Sequence, residues 1–192
     1  LLQELAVTPE ESRSVHLQCK PMADQSVLEE ALMRATQGQQ VLWIENTVAE
    51  AQERYLDLAA RAQEVGVACG LLHSRFTARH RQNNETHWVS CYGKAGRAAR
   101  GKQGRILIGT QVLEQSLDID ADFLVSRMAP TDMLFQRLGR LWRHEQTPRP
   151  TNARREAWLL TPDLDAAHQD PYQAFGATAH VYSPYLLCRS LE

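Results

Sequence analysis

Arg137, Arg140 and Arg143 recur at every third position in Gln136-Arg137-Leu138-Gly139-Arg140-Leu141-Trp142-Arg143. Residues three apart share a helix face, so the spacing predicts a row of guanidiniums headed by Gln136. A guanidinium is always charged and can fork onto two phosphate oxygens at once. The row would suit an array of phosphate oxygens. A basic helix face that simply meets water gives the same pattern. The helix is expected over 131–142, with Thr131 placed to cap it and Gly139 leaving room for close backbone approach.

The segment upstream favours phosphate chemistry. Arg105-Ile106-Leu107-Ile108-Gly109-Thr110 reads as a buried parallel strand, followed by a helical turn through Gln111 to Gln115. Then come Ser116-Leu117-Asp118-Ile119-Asp120 and a second apolar strand, Phe123 to Ser126. Thr110 and Gln111 therefore sit at the C-terminal end of a strand, the edge where open α/β sheets bind ligands. A hydroxyl and free N–H groups at a helix start are good phosphate contacts. Asp118 could accept from ribose hydroxyls or pair with an arginine.

Residues 105–120 resemble motif V of superfamily 2 helicases, and Gln136–Arg143 resembles their motif VI, Gln-x-x-Gly-Arg-x-x-Arg. Several further runs are similar to the CRISPR-associated helicase-nuclease of type I systems. They are His73-Ser74-Arg75-Phe76, Tyr92-Gly93-Lys94, Leu117-Asp118-Ile119-Asp120, Ala129-Pro130-Thr131-Asp132 and Leu141-Trp142-Arg143-His144. The resemblance covers roughly residues 40–145, with Tyr185–Leu191 near the end.

The resemblance implies the second RecA-like domain of that motor. Its fold would be α/β, a parallel sheet with helices on both faces: a P-loop NTPase-type fold without its own P-loop. It implies Arg140 and Arg143 as arginine fingers on the γ-phosphate of ATP, a role worth roughly 10³–10⁵ in rate in other phosphoryl-transfer systems. Gln136 would contact the γ-phosphate or the surroundings of the attacking water. Asp118 would lie near the ribose or link the motifs. Arg137 belongs to the same nucleotide set, or pairs with a carboxylate such as Asp118 or Asp120. Thr47 and Thr110, with Gln111 and Arg75, would touch the backbone of single-stranded DNA, although Thr47 could equally be a plain helix cap. Trp142 stands where many superfamily members have glycine and is expected to pack.

Missing motifs limit the chain further. There is no Gly-x-x-x-x-Gly-Lys-Ser/Thr, no Asp-Glu pair of the Walker B kind and no His-Asp pair for a nuclease. The chain is therefore expected to be half a motor, inactive on ATP alone, with Mg²⁺ held mainly by the first motor domain. The implied partners are that first RecA-like domain and the nuclease domain of the same full-length chain. Single-stranded DNA, pulled 3′ to 5′, and the CRISPR RNA-guided surveillance complex complete the set. Other readings are a repair, replication-restart or RNA helicase, a non-motor binding module, or a structural protein whose arginines only make ion pairs.

Composition fits a modest soluble domain. A chain of 192 residues holds one core, here expected over 1–160, with a C-terminal extension over 161–192 that would dock an absent C-terminal domain. Tyr182, Tyr185, Leu186 and Leu187 would form its exposed apolar patch. The net charge of −2 gives no global basic signature. Charge is uneven, however: Arg75, Arg79, Arg81, Lys94, Arg97, Arg100, Lys102 and Arg105 face the single acid Glu85 over residues 75–105. Four widely spaced cysteines, no signal peptide and no apolar run near 20 residues read as a cytoplasmic chain with free thiols and no membrane segment. His73, His80, His87 and Cys91 match no known zinc pattern, so no metal site is expected.

The elements that must position these residues alternate. Strands are expected at 15–19, 41–44, 67–72, 105–108, 123–126 and 157–160, and helices over 22–37, 48–65, 77–89 and 131–142. Gly93–Gly104 reads as a mobile loop, and the chain after Pro162 as irregular and acidic before a short segment at 184–191. Segments 45–47, 73–75 and 109–111 should converge on one sheet edge.

Overall fold

Short aliphatic runs that alternate with amphipathic helices have to bury both faces of a parallel sheet, and the chain does so. The computed structural model describes residues 14–192 apart from positions 101, 115 and 116. Gln115 and Ser116 of motif V and the polar N-terminal stretch lie outside the described residues.

Six strands, β1 (His16–Pro21), β2 (Gln40–Ile44), β3 (Ala68–Leu72), β4 (Arg105–Gly109), β5 (Phe123–Arg127) and β6 (Glu156–Thr161), form one sheet. Its order is β1-β6-β5-β2-β4-β3, and every pair is parallel. Alternate side chains feed two cores. Val41, Trp43, Ile106, Ile108, Phe123 and Val125 pack under α1 (Ser26–Thr36) and α2 (Val48–Glu64). Leu42, Ile44, Leu107 and Leu124 pack with Trp88 and Tyr92 of α3 (Ala78–Tyr92), and with Leu113, Ile119 and Leu141. This is the RecA-like α/β architecture the motifs imply. Among the described residues no helix is long and apolar enough to cross a membrane.

Register decides what the sheet can present. Ile44 and Leu72 both pair with Gly109, and Ile44 pairs with Ser126. The four strands end level, so segments 45–47, 73–75 and 109–111 do share the C-terminal edge.

Several expectations need correction. Helix α4 (Thr131–Leu138) stops four residues early. Leu141, fully buried, is drawn into a parallel bridge with Ala121. Trp142 then adopts φ 52, with its N–H on the Ala121 carbonyl. The three arginines therefore do not share one helix face. Thr131 is not a cap: its N–H and hydroxyl both bond Ser190 Oγ at 3.0 Å.

The glycine-rich loop is largely structured. Lys94–Ala99 forms a 3-10 helix and Arg100 is buried. Gly96 is required there, since a Cβ would lie 2.0 Å from the Cys91 carbonyl oxygen. The tail is helical rather than irregular, with α5 (Leu164–Gln169), α6 (Pro171–Phe175), a 3-10 turn (Gly176–His180) and α7 (Pro184–Leu191). Two of its acids are caps: Asp163 accepts from the Ala166 N–H and Asp170 from the Gln173 N–H. Leu187 and part of Tyr182 turn inward onto Met128, Ala129, Leu134 and Leu159, so only Tyr185 and Leu186 of the expected patch are exposed.

Candidate nucleic-acid and nucleotide sites

The C-terminal edge is built around a buried arginine. Arg137 has no exposed surface. Its Nε donates to Glu114 Oε1 at 2.7 Å. Its Nη1 donates to Ser126 Oγ and the Arg127 carbonyl at 3.0 and 2.9 Å. Its Nη2 donates to Asn46 Oδ1 at 2.9 Å and Tyr182 Oη at 3.4 Å. Arg137 thus ties the ends of β2 and β5 to motif V and to the tail. Its carboxylate partner is Glu114, not Asp118 or Asp120, and no donor faces solvent for a nucleotide.

Asn46 donates to the Met128 carbonyl at 2.7 Å and Thr178 Oγ1 at 2.9 Å. Gln111 Nε2 donates to the Asn46 carbonyl at 2.8 Å and Tyr182 Oη at 3.2 Å. Thr110 is buried, and its N–H extends the β3–β4 ladder onto the Leu72 carbonyl. Thr47 is a full capping box: its hydroxyl accepts from the Glu50 N–H, and Glu50 Oε2 accepts from the Thr47 N–H and hydroxyl.

Arg75 is exposed, and its N–H donates to Nδ1 of buried His73 at 3.2 Å. The His73 ring stacks on Phe76 at 4.2 Å. Burial pushes the His73 pKa below its ordinary 6.5, and the charge of Arg75 adds to that, against a backbone hydrogen bond that acts the other way.

Asp118, Arg140 and Arg143 lie toward the other end of the sheet, beside the start of β5. Arg140 is nearly buried and donates to the Glu114 and Leu117 carbonyls at 2.5 and 2.8 Å. Arg143 keeps 40% of its side chain exposed, with Nη1 3.3 Å from the Leu117 carbonyl and Nε 4.0 Å from Asp118 Oδ1. Asp118 also pairs with His144 Nε2 at 2.6 Å and accepts from the Lys94 N–H at 3.2 Å. Desolvation raises the Asp118 pKa, but the Lys94 N–H, His144 and Arg143 outweigh it and leave it below the usual carboxylate value. Lys94, Arg97, Arg143, His144, Glu145 and Gln146 line a cleft of about 260 Å³. Gln136, on α4, is exposed.

Behind this cleft lies a buried network that motif reading missed. Arg100 and Arg149 neutralise Asp120 and Asp122, with Arg149 reaching both carboxylates at 2.6 Å. Scattered charges with no periodicity gave no signal for it.

Residues 37–146 match the family model for the C-terminal part of the CRISPR-associated nuclease/helicase Cas3. The chain belongs to the Cas3 family. The Cas3 endonuclease/helicase of Escherichia coli K12 is 39% identical over 163 residues, 84% of this chain and 17% of that protein. The crystal structure of T. fusca Cas3-AMPPNP superposes with a TM-score of 0.82 at 33% identity, covering 97% of this chain and 21% of that one. A chain of a pre-nicking CRISPR RNA-guided surveillance complex superposes at 0.77 with 33% identity, over 97% of this chain and 22% of its own length. This chain therefore spans about a fifth of the length of these Cas3 relatives.

Within this Cas3-family fold the two motif sets are spatially separate. Thr47, Arg75, Thr110 and Gln111 share the C-terminal edge. Asp118, Arg140 and Arg143 come together at the opposite end, bridged by the chain from 110 to 122.

Proposed function

We propose that this chain is the second motor domain of an ATP-dependent single-stranded DNA translocase that acts in CRISPR interference. The observation that carries the reading is the cleft in which Arg143, alone of the three motif arginines, presents its guanidinium to solvent beside Lys94 and Arg97. Such a wall of cations fits a polyphosphate from one side, as a domain without a phosphate loop must. Bound ATP would supply the phosphoanhydride whose cleavage drives movement. Arg143 would stabilise charge on the transferring phosphoryl group. Arg140 would support that wall from behind through its hydrogen bonds to the Glu114 and Leu117 carbonyls, and Gln136 on the neighbouring helix would contact the γ-phosphate or the surroundings of the attacking water. Asp118 would accept from the ribose. Among the described residues no group of three His, Cys, Asp or Glu could hold a metal. Mg²⁺ would be held mainly by the first motor domain.

At the other edge, Thr47, Arg75, Thr110 and Gln111 would follow the DNA backbone. Contacts to phosphate carry little base information, which suits a motor that must pass any sequence. The first RecA-like domain, the nuclease domain and an RNA-guided surveillance complex are the partners this role requires, and the isolated chain would not hydrolyse ATP. The test is DNA-stimulated ATP hydrolysis by the full-length protein carrying this domain. Arg143→Ala should lower kcat by about 10³-fold or more while ATP still binds. An unchanged rate would remove the main support for the assignment.

A further inference from the structure

Arg149 lies outside motif VI and beyond residue 146, where the family match ends. It is nonetheless joined to the backbone on both sides of Arg143. Its Nη2 donates to Asp120 Oδ1 at 2.6 Å, and the same oxygen accepts the Arg143 N–H at 2.9 Å. Its Nη2 also donates to the His144 carbonyl at 3.2 Å. Its guanidinium lies 5.1 Å from the centre of the Trp142 ring, and the Trp142 indole N–H is fixed on the Asp122 carbonyl at 3.0 Å. Asp122 in turn takes Arg149 Nη1 at 2.6 Å. Residues 142, 143 and 144 are therefore each tied, directly or through one carboxylate, to a single side chain.

That clamp acts where the backbone most needs one. Trp142 sits at φ 52, a region that bulky L residues avoid. Arg143 has few restraints past its backbone: a long hydrogen bond and an ion pair at 4.0 Å. The direction in which its side chain leaves is thus set by residues 142 and 143. The fork of Arg149 donates to four acceptors, Asp120 Oδ1, Asp122 Oδ1 and the Ala121 and His144 carbonyls, more than the three N–H groups of a lysine ammonium could serve.

We propose that Arg149 is a positioning residue for Arg143, holding its backbone so that the guanidinium meets the γ-phosphate without itself touching nucleotide. This rests on the reading of Arg143 as the arginine finger. The test is a double-mutant cycle in the full-length protein, with Arg143→Ala, Arg149→Met and the pair. Arg149→Met should lower kcat for DNA-stimulated ATP hydrolysis by about 30–100-fold, the scale of a small misplacement of a catalytic group. The KM for ATP and the affinity for single-stranded DNA should stay within about threefold, because the DNA edge lies at the other end of the sheet. In the Arg143→Ala background the same change should alter kcat by less than about twofold. Arg149→Lys should recover only part of the loss, and it carries the same cycle if Arg149→Met does not fold. Equal losses in both backgrounds, or no loss in either, would overturn the positioning role. An inert Arg143→Ala would instead bring down the finger assignment beneath it.

Discussion

Arg137 donates five hydrogen bonds from a site with no solvent exposure, and one partner is the nearly buried carboxylate of Glu114. Removing one member of such a pair strands the other charge. Arg137→Ala should therefore lower stability by about 3–5 kcal/mol, read as a fall in the urea midpoint. Lysine keeps the charge but has one donor centre for five acceptors, so Arg137→Lys should recover less than half. A loss below about 1 kcal/mol for the alanine variant would mean that the network relaxes around the gap. His73 gives a second residue-level expectation. Its folded pKa lies below its ordinary 6.5, so the unfolded chain takes up the proton first. Its contribution is complete above about 6.5 and is lost as pH falls from there toward the folded value. Melting temperatures of wild type and His73→Gln between about pH 7.5 and 5.5 should therefore converge with acidification. Parallel curves would count against it.

At the scale of elements, strands were the most legible feature. Val41–Ile44, Ile106–Ile108 and Phe123–Val125 are aliphatic or aromatic because both faces of the sheet are covered. The C-terminal edge could be assembled from strand ends alone. The helix of motif VI was overextended because a three-residue spacing of arginines persists past Gly139, while the Ala121–Leu141 bridge that ends the helix is a tertiary contact. Arg137 sits on the buried side of α4, and its carboxylate pairing is legible in the sequence while the partner, Glu114, is set by the tertiary fold. The tail was more readable than supposed, since Asp170-Pro171 is an N-cap followed by proline at the first helical position. Helix α3 shows a different dependence. It buries only Trp88 and Tyr92, and Trp88 lies flat on Gly70, where a Cβ would come within 1.9 Å of Cζ2. Gly70→Ala should push Trp88 off the sheet and cost about 1–3 kcal/mol. The loss should appear as faster amide exchange in α3 and a shift in tryptophan fluorescence. Unchanged exchange would show that α3 is anchored elsewhere.

Across the whole molecule, the sheet separates two ends by roughly 16 Å, the length of a five-residue strand. The segment from Thr110 to Asp122 connects them. The end that carries Arg143 is fixed by the Arg100–Asp120–Asp122–Arg149 network. The C-terminal edge is fixed instead by the C-terminal extension, through Thr178 on Asn46 and Tyr182 beside Gln111 and Arg137. The extension also covers Met128, Ala129, Leu134 and Leu159 with Ala167, Phe175, Ala179 and Leu187. Residues 162–192 thus behave as part of this core, whatever else Tyr185 and Leu186 contact. Ending the chain after Thr161 should expose that apolar surface and leave Asn46 and Arg137 each short of a partner. A loss of several kcal/mol corresponds to a fall in Tm of roughly 10 °C for a domain of this size. Amide exchange should rise first around residues 46 and 111, while the amides of Arg143 and Asp122 keep their protection. If the truncated chain melts unchanged, the extension is an appendage and the C-terminal edge stands on Arg137 alone. If protection falls equally at both ends, the two are one cooperative unit and cannot be tuned separately.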